Sequence, residues 1–134
     1  MTISEKMLLS AKEDMYEKFG IRILAAENGN AQSELELKPN HWNTYHMPYG
    51  GVQFNIADLT SGIAFLSAGG YGVTVSGNVH FLRAPSADIR KLFCRARVTK
   101  RGRRMYFVDA EVTDETETVL ASYSFIFSNS DTAE

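Results

Sequence analysis

The sequence predicts an α+β fold in which one long apolar helix is enclosed by a single curved antiparallel sheet. Three observations lead there. Residues 50–67 are apolar on nearly every side of a helical projection, with Val52, Phe54, Ile56, Ala57, Leu59, Ile63, Ala64, Phe65 and Leu66, and a helix of that kind has to be covered by protein all round. Four later segments alternate apolar and polar residues with period two, the mark of antiparallel strands with one dry and one wet face. No internal repeat or linker interrupts the 134 residues, so residues 1–134 are expected to form one domain.

The elements follow in order. Residues 1–20 read as a short amphipathic helix: Thr2 with Glu5 three later makes a capping box, and Met7, Leu8, Ala11, Met15 and Phe19 share a face. Gly20 sits where such a helix stops. Strand-like stretches at 21–27 and 31–38 flank the turn residues Asn28-Gly29-Asn30. Residues 39–49 form a loop of polar and aromatic groups, and the apolar helix from Gly50 is closed by Gly69-Gly70. Beyond it, Val73, Val75, Val79 and Phe81 alternate with Thr74, Ser76, Asn78 and His80. Leu92, Cys94, Ala96 and Val98 alternate with Arg95 and Arg97. Tyr106, Val108, Ala110 and Val112 repeat the pattern, as do Val119, Ala121, Tyr123, Phe125 and Phe127. Residues 128–134 are expected to be a loose tail. One helix inside one long curved sheet is the hotdog architecture.

Composition excludes several functional classes. Hydrophobic residues at 44% and charged residues at 22% are ordinary globular values and argue against disorder. A net charge of −2 exerts no overall pull toward nucleic acid or membrane. Cys94 stands alone and cannot form an internal disulfide, which suits a reducing compartment. Met7-Leu8-Leu9 is followed too soon by Lys12, Glu13 and Asp14 for a signal-peptide core, and no stretch approaches the ~20 apolar residues of a membrane span. A cytoplasmic protein is the expectation. Three histidines and one cysteine without metal-ligand spacing argue against a metal site.

Chemistry concentrates in the stretch HMPYGGVQFNIAD, residues 46–58. Gly50, at a helix N-terminus, offers a free backbone N–H, no obstructing side chain and the positive end of the helix dipole. Such a donor can polarise a carbonyl on which negative charge develops. Asp58 supplies a carboxylate among Ile56, Ala57 and Leu59, suited to act as base or nucleophile. The competing readings are a structural carboxylate at Asp58 and a tight loop-to-helix turn at Gly50-Gly51. Eight helical residues separate Gly50 from Asp58, about 12 Å along the axis, whereas reacting groups must lie within ~3–3.5 Å. Two antiparallel copies of the helix would remove the conflict, so the spacing predicts a homodimer with two shared sites and leaves a dimer of dimers open.

The pattern Asn-x5-Tyr-Gly-Gly-x6-Asp, from Asn43 through Tyr49-Gly50-Gly51 to Asp58, resembles the signature of the phenylacetyl-CoA (PaaI-like) branch of hotdog thioesterases. The stretch VTVSGNVHFLRAPS, residues 73–86, is similar to a strand of the same family, and the resemblance runs over roughly residues 4 to 127. It implies an acyl-CoA thioesterase that hydrolyses a small, aromatic or medium acyl-CoA to free acid and coenzyme A, across a dimer interface. No separate cofactor is implied, since coenzyme A is part of the substrate. By the same resemblance Asn43 occupies an amide position that places the water or the carbonyl, and Thr74 matches a hydroxyl that orients the attacking water. Tyr49 stands where the family usually has His. It can donate one hydrogen bond but does not act like imidazole.

The cluster KRGRR, residues 100–104, carries a Gly between two alternating segments and reads as a hairpin turn. Its default is a solvated turn; the functional reading is that Arg101, Arg103 and Arg104, with Arg83, hold phosphates of coenzyme A. Phe54, Phe65, Tyr45, Trp42 and Met47 are candidate linings of an apolar or aromatic pocket. Two rival functions accompany the thioesterase reading. One is a non-catalytic acyl-CoA-binding hotdog protein, for which Tyr49 makes room. The other is an acyl dehydratase using His46 and Asp58, on a faint similarity of HMP to a His-Phe-Pro phrase. The hydratase spacing of Asp followed five later by His fails, because position 63 is Ile.

Overall fold

The computed structural model describes residues 1–130. Helix α1 (Ile3–Phe19) starts on the capping box read from the sequence. Thr2 Oγ1 accepts from Glu5 N, Thr2 N donates to the Glu5 carboxylate at 2.7 Å, and Gly20 closes the helix in the left-handed region at φ 72°. Its buried face is narrower than its apolar pattern predicts. Met15 is buried and Leu8 and Ala11 are half-buried, but Met7 and Phe19 are exposed. The reason is positional: α1 packs chiefly against the second helix and the first strand.

Strands β1 (Ile21–Glu27) and β2 (Asn30–Glu36) are joined through Asn28 at φ 48° and Gly29 at φ 86°, the paired positive angles of a tight hairpin turn. β2 ends two residues earlier than the alternation suggests, before Pro39 opens a 3-10 turn at Pro39–His41. Helix α2 occupies Gly50–Ser67, as read. Then come β3 (Gly72–Phe81), β4 (Lys91–Arg101), β5 (Met105–Thr113) and β6 (Val119–Asn129). The sheet order is β1-β2-β4-β5-β6-β3, with every neighbouring pair antiparallel.

The sheet wraps α2, which touches all six strands. Ala31, Ala96 and Ala110 pair across β2, β4 and β5 and are all buried; their small side chains let the helix come close. Phe65 packs edge-on against Tyr106 at 5.0 Å and stacks on Phe127 at 4.9 Å, while Phe54 meets Tyr123 and Phe125 edge-on. Within this interface Ser33 and Thr60 share a hydrogen bond of 2.6 Å, whereas the buried Ser61 and Tyr123 hydroxyls have no hydrogen-bond partner among the described residues. Cys94 lies in the core as read, and burial pushes its thiol up to about 12. This is the hotdog architecture.

Two expectations are corrected. The alternation in β3 promised one dry face, yet Val73 is 65% exposed and Val75 51%. β3 is an edge strand, a bulge between Thr74 and Ser76 shifts its register, and alternation cannot say whether anything covers a strand's second face. The loose tail begins later than residue 128. β6 continues through Asn129, whose N donates to Arg104 O at 2.7 Å and whose Oδ1 accepts from Tyr71 N; residues 131–134 lie outside the described residues. No helix among the described residues is long and apolar enough to cross a membrane.

The seating of α2 on β3 depends on Gly77. A Cβ there would stand 2.8 Å from Phe125 and 2.9 Å from Phe54. Gly77→Ala is therefore expected to destabilise the fold by about 1–3 kcal/mol through overpacking, read as a lower urea midpoint at an unchanged slope.

Candidate active site

The loop before α2 is built on Asn43. Its Oδ1 accepts from Tyr45 N at 2.8 Å and Met47 N at 3.2 Å, its N donates to Met47 O, and its O accepts from His46 N. Trp42 and Pro48 form an isolated bridge across the loop. His46 takes the turn position at φ 59° and is exposed. His41, whose Nδ1 accepts from Lys38 N, is a loop-organising group; partial burial and the nearby Lys38 charge push it below the usual imidazole range. Together these bonds deliver Tyr49 as the residue capping α2. Its N donates to His41 O and its carbonyl accepts from Val52 N and Gln53 N. The Tyr49 side chain is 51% exposed and caps nothing.

The Gly50 end of α2 opens on a cavity of about 330 Å³ lined by Asn43, Met47, Pro48, Gly50, Gln53, Phe81, Leu82, Arg83, Ala84 and Pro85. Neither Gly50 N nor Gly51 N donates to a described residue, as the first turn of a helix leaves them. A Cβ at Gly50 would lie 3.1 Å from Phe81 Cζ, a close contact with a ring that is itself exposed. Asn43 Oδ1 is spent on the loop, which leaves its Nδ2 as the atom able to donate to a ligand.

Asp58 and Thr74 make a second group. Thr74 Oγ1 donates to Asp58 Oδ1 at 2.8 Å, tying the middle of α2 to the edge strand β3. Asp58 is half-buried and Thr74 exposed. Neither lines the Gly50 cavity, and Asp58 stands about 12 Å along the helix from Gly50.

The arginines divide in the same way. Arg83 lines the Gly50 cavity. Arg101 ends β4, with its Nη2 3.5 Å from Asn28 O, and Arg103 and Arg104 occupy the β4–β5 turn, where their carbonyls accept from Asn129. Asn129 pairs with Gly72 at the start of β3, whereas Arg83 follows its end. The length of that strand, roughly 30 Å, separates Arg83 from the other three within one chain.

Of the five apolar and aromatic residues expected to line a pocket, only Met47 reaches this cavity; Phe54, Phe65 and Trp42 pack against the core, and Tyr45 is 79% exposed. The residue that sequence reading missed is Gln53. It is buried, lines the cavity, and its Oε1 has no hydrogen-bond donor among the described residues. An amide inside an apolar helix, one turn past Gly50, was its available signal. No group of three or more His, Cys, Asp or Glu able to hold a metal occurs among the described residues.

The two roles of the Asn43 amide are separable. Asn43→Ala removes the acceptor of two loop amides, so hydrogen exchange at Tyr45 and Met47 is expected to accelerate; Asn43→Asp keeps an acceptor and should preserve their protection. Equal exchange in all three proteins would refute this account of the loop.

Comparison with known proteins fits this geometry. The family model of the thioesterase superfamily matches residues 46–121, from the loop before α2 into β6. A curated protein of Archaeoglobus fulgidus, named provisionally as an esterase, is 25% identical over 109 residues, 81% of this chain and 70% of that one. The E. coli PaaI protein from the phenylacetic acid degradation operon superposes with a TM-score of 0.84 at 21% identity, covering 94% of this chain and 98% of its own. A hypothetical thioesterase from Streptococcus pneumoniae TIGR4, solved with coenzyme A, gives 0.80 at 21% identity over 93% and 95% of the two chains. The family match takes in more than half of the chain, including the loop, α2 and β3, and the chain therefore belongs to the thioesterase superfamily, as a thioester hydrolase of hotdog fold.

Proposed function

We propose that the protein is an acyl-CoA thioesterase whose sites form only in a homodimer, each combining Gly50 of one protomer with Asp58 of the partner subunit. The observation that carries this reading is the division of the site residues within one chain. Gly50, Asn43 and Arg83 gather at the helix start, while the Asp58–Thr74 pair lies beyond the cavity they line. An antiparallel partner would bring the two halves together.

The uncovered β3 supports that assembly. It is an edge strand with Val73, Val75 and Phe81 exposed, and an apolar edge of this kind is a surface for pairing. The same two-fold arrangement would carry Arg101, Arg103 and Arg104 of one protomer toward Arg83 of the other. Cations from both chains would then surround the phosphates of coenzyme A. Coenzyme A in the pneumococcal structure supports acyl-CoA as the ligand class.

In this site the Gly50 N–H, at the positive end of α2, polarises the thioester carbonyl, and Asn43 Nδ2 supplies a second donor. As a base, Asp58 takes a proton from water as the water oxygen attacks the thioester carbon, the C–S bond breaks, and that proton passes to the sulfur, so that the free acid and the coenzyme A thiol are released. As a nucleophile, Asp58 attacks that carbon and displaces coenzyme A as a thiolate, which takes a proton from water, and a further water hydrolyses the resulting anhydride to the free acid and the regenerated carboxylate. Thr74 holds the Asp58 carboxylate in place through its hydroxyl.

Free-thiol release from a panel of acyl-CoAs tests the class directly. A dehydratase would give enoyl absorbance without thiol, and a binding protein neither. Asp58→Asn is expected to lower kcat by about 10²–10⁴-fold with the fold retained, whereas Tyr49→Phe should change the rate little, because the Tyr49 hydroxyl makes no hydrogen bond among the described residues.

Subunit mixing tests the shared site. Gly50→Pro removes the donor while keeping a residue well suited to the first helical position, and the exposed Phe81 ring has room to give. Gly50→Pro and Asp58→Asn homodimers should each be nearly inactive. After subunit exchange, each heterodimer retains one intact site and should recover toward half of the wild-type rate. A sample that exchanges subunits demonstrably yet stays inactive would sink the cross-chain site.

A further inference from the structure

His41 is the residue on which the loop before α2 closes. It ends the 3-10 turn at Pro39–His41, and its hydrogen bonds run in two directions. Its N donates to Lys38 O and its ring Nδ1 accepts from Lys38 N, both at 2.9 Å, while its carbonyl accepts from Tyr49 N at 2.9 Å. Tyr49 is the residue before Gly50, and its own carbonyl accepts from Val52 N and Gln53 N in the first turn of α2. One histidine therefore ties the chain leaving β2 to the residue that aims the Gly50 N–H.

The ring can accept at Nδ1 only while it is neutral. An imidazolium carries a hydrogen on both nitrogens, so a protonated His41 would face the Lys38 N–H with a donor of its own, and the ring has to leave. Its surroundings favour the neutral form: partial burial first, and then the Lys38 charge, push His41 below the usual imidazole range. The charged groups that share its two flanking cavities are Glu17 and Lys18 of α1, Arg22 of β1, Glu34 and Glu36 of β2, Lys91 of β4 and Lys38 itself. Glu34 is held by Arg22 and Lys91, and Glu36 by Lys38, so these carboxylates are already paired with cations. The unfolded chain takes up the His41 proton near pH 6.5 and the fold only at lower pH. The stability that the neutral ring contributes is complete above about pH 6.5 and is lost as the pH falls through the window between those two values.

We propose that neutral His41 is a positioning residue for hydrolysis, and that its protonation in mild acid releases the loop, turns the Gly50 donor away from the thioester carbonyl and switches the site off. The link to the Gly50 donor rests on the thioesterase reading; the loop movement rests on the His41 hydrogen bonds alone. Trp42 follows His41 directly, is half-buried against the core, and is the one tryptophan of the chain. It reports the loop without any substrate.

The test follows Trp42 emission in the full chain from about pH 8 to about pH 4.5, beside kcat/KM for thiol release from a panel of acyl-CoAs and the ring-proton NMR signals of the three histidines. The emission is expected to change at the midpoint of one histidine signal while far-UV circular dichroism holds steady, and kcat/KM to fall about tenfold per pH unit below that midpoint. His41→Asn keeps an acceptor where Nδ1 stands and cannot take up the proton. It should remove that histidine signal and the emission transition, retain activity near neutrality, and leave only the acid loss that belongs to Asp58. His41→Ala, with no acceptor, should show the low-pH emission at every pH. If neither variant folds, the shared midpoint in the wild-type protein decides the matter. Thiol release with an emission that does not respond to pH overturns this inference and leaves the thioesterase reading intact. An emission transition that persists in His41→Asn, or one without the matching fall in kcat/KM, overturns it too. The emission transition with no thiol release from any acyl-CoA overturns the thioesterase reading, and the switch on hydrolysis with it.

Discussion

The constraint on which the structure depends is that α2 has no face fit for water. Eighteen residues with almost no charge must be covered on every side, and one flat sheet could cover only one. The chain answers with six antiparallel strands that curl around the helix. The details of packing follow from that closeness. Alanines at 31, 96 and 110 lower the sheet surface where the helix lies, Phe54 and Phe65 fill the flanks as edge-on and stacked rings, and Gly77 yields its side-chain space to Phe54. Each removes bulk or supplies it where the curvature demands.

The same enclosure fixes where chemistry can happen. A covered helix can offer reactive groups only at its ends or along a seam where the cover thins. Gly50 is the first case, with backbone amides that the helix itself cannot use. Asp58 is the second, because β3 is the last strand of the sheet and lies largely exposed beside it. A rigid helix holds these two positions about 12 Å apart, and no local adjustment of loops closes that gap. Whatever joins them in one reaction has to come from outside the chain.

What was legible in the sequence was what is decided locally. Thr2 and Glu5 cap α1 through contacts three residues apart, Gly20 ends it, and both ends of α2 fall where glycines stand. Hairpin positions were equally readable from Asn28-Gly29. The larger failures were questions of coverage. Met7 and Phe19 repeat at helical spacing, yet α1 meets too little protein to bury them. Val73 and Val75 alternate as a core strand does, yet the strand lies at an edge and is uncovered. At the site, Asp58, Gly50 and Asn43 were visible because their types and spacing carry chemistry. Gln53 was not, because an amide in an apolar run takes its meaning from the cavity beside it.

The hydrogen bond between Thr74 and Asp58 connects fold, assembly and chemistry. A carboxylate in the middle of an enclosed helix could turn back along the helix surface. The Thr74 hydroxyl, donating at 2.8 Å, fixes one of its oxygens toward β3 and leaves the other without a bond from any described residue. Thr74 itself sits just before the bulge that shifts the strand's register, so the irregularity in β3 and the aim of Asp58 belong to the same stretch of chain. The edge strand thus has two tasks: it carries the exposed apolar residues suited to pairing with a second copy, and it orients the carboxylate that the second copy would use. A change that disturbs pairing at β3 must also disturb the aim of Asp58, which makes assembly and chemistry hard to separate by substitution within this strand. The start of α2, held by its own loop through Asn43, is where the two can be separated.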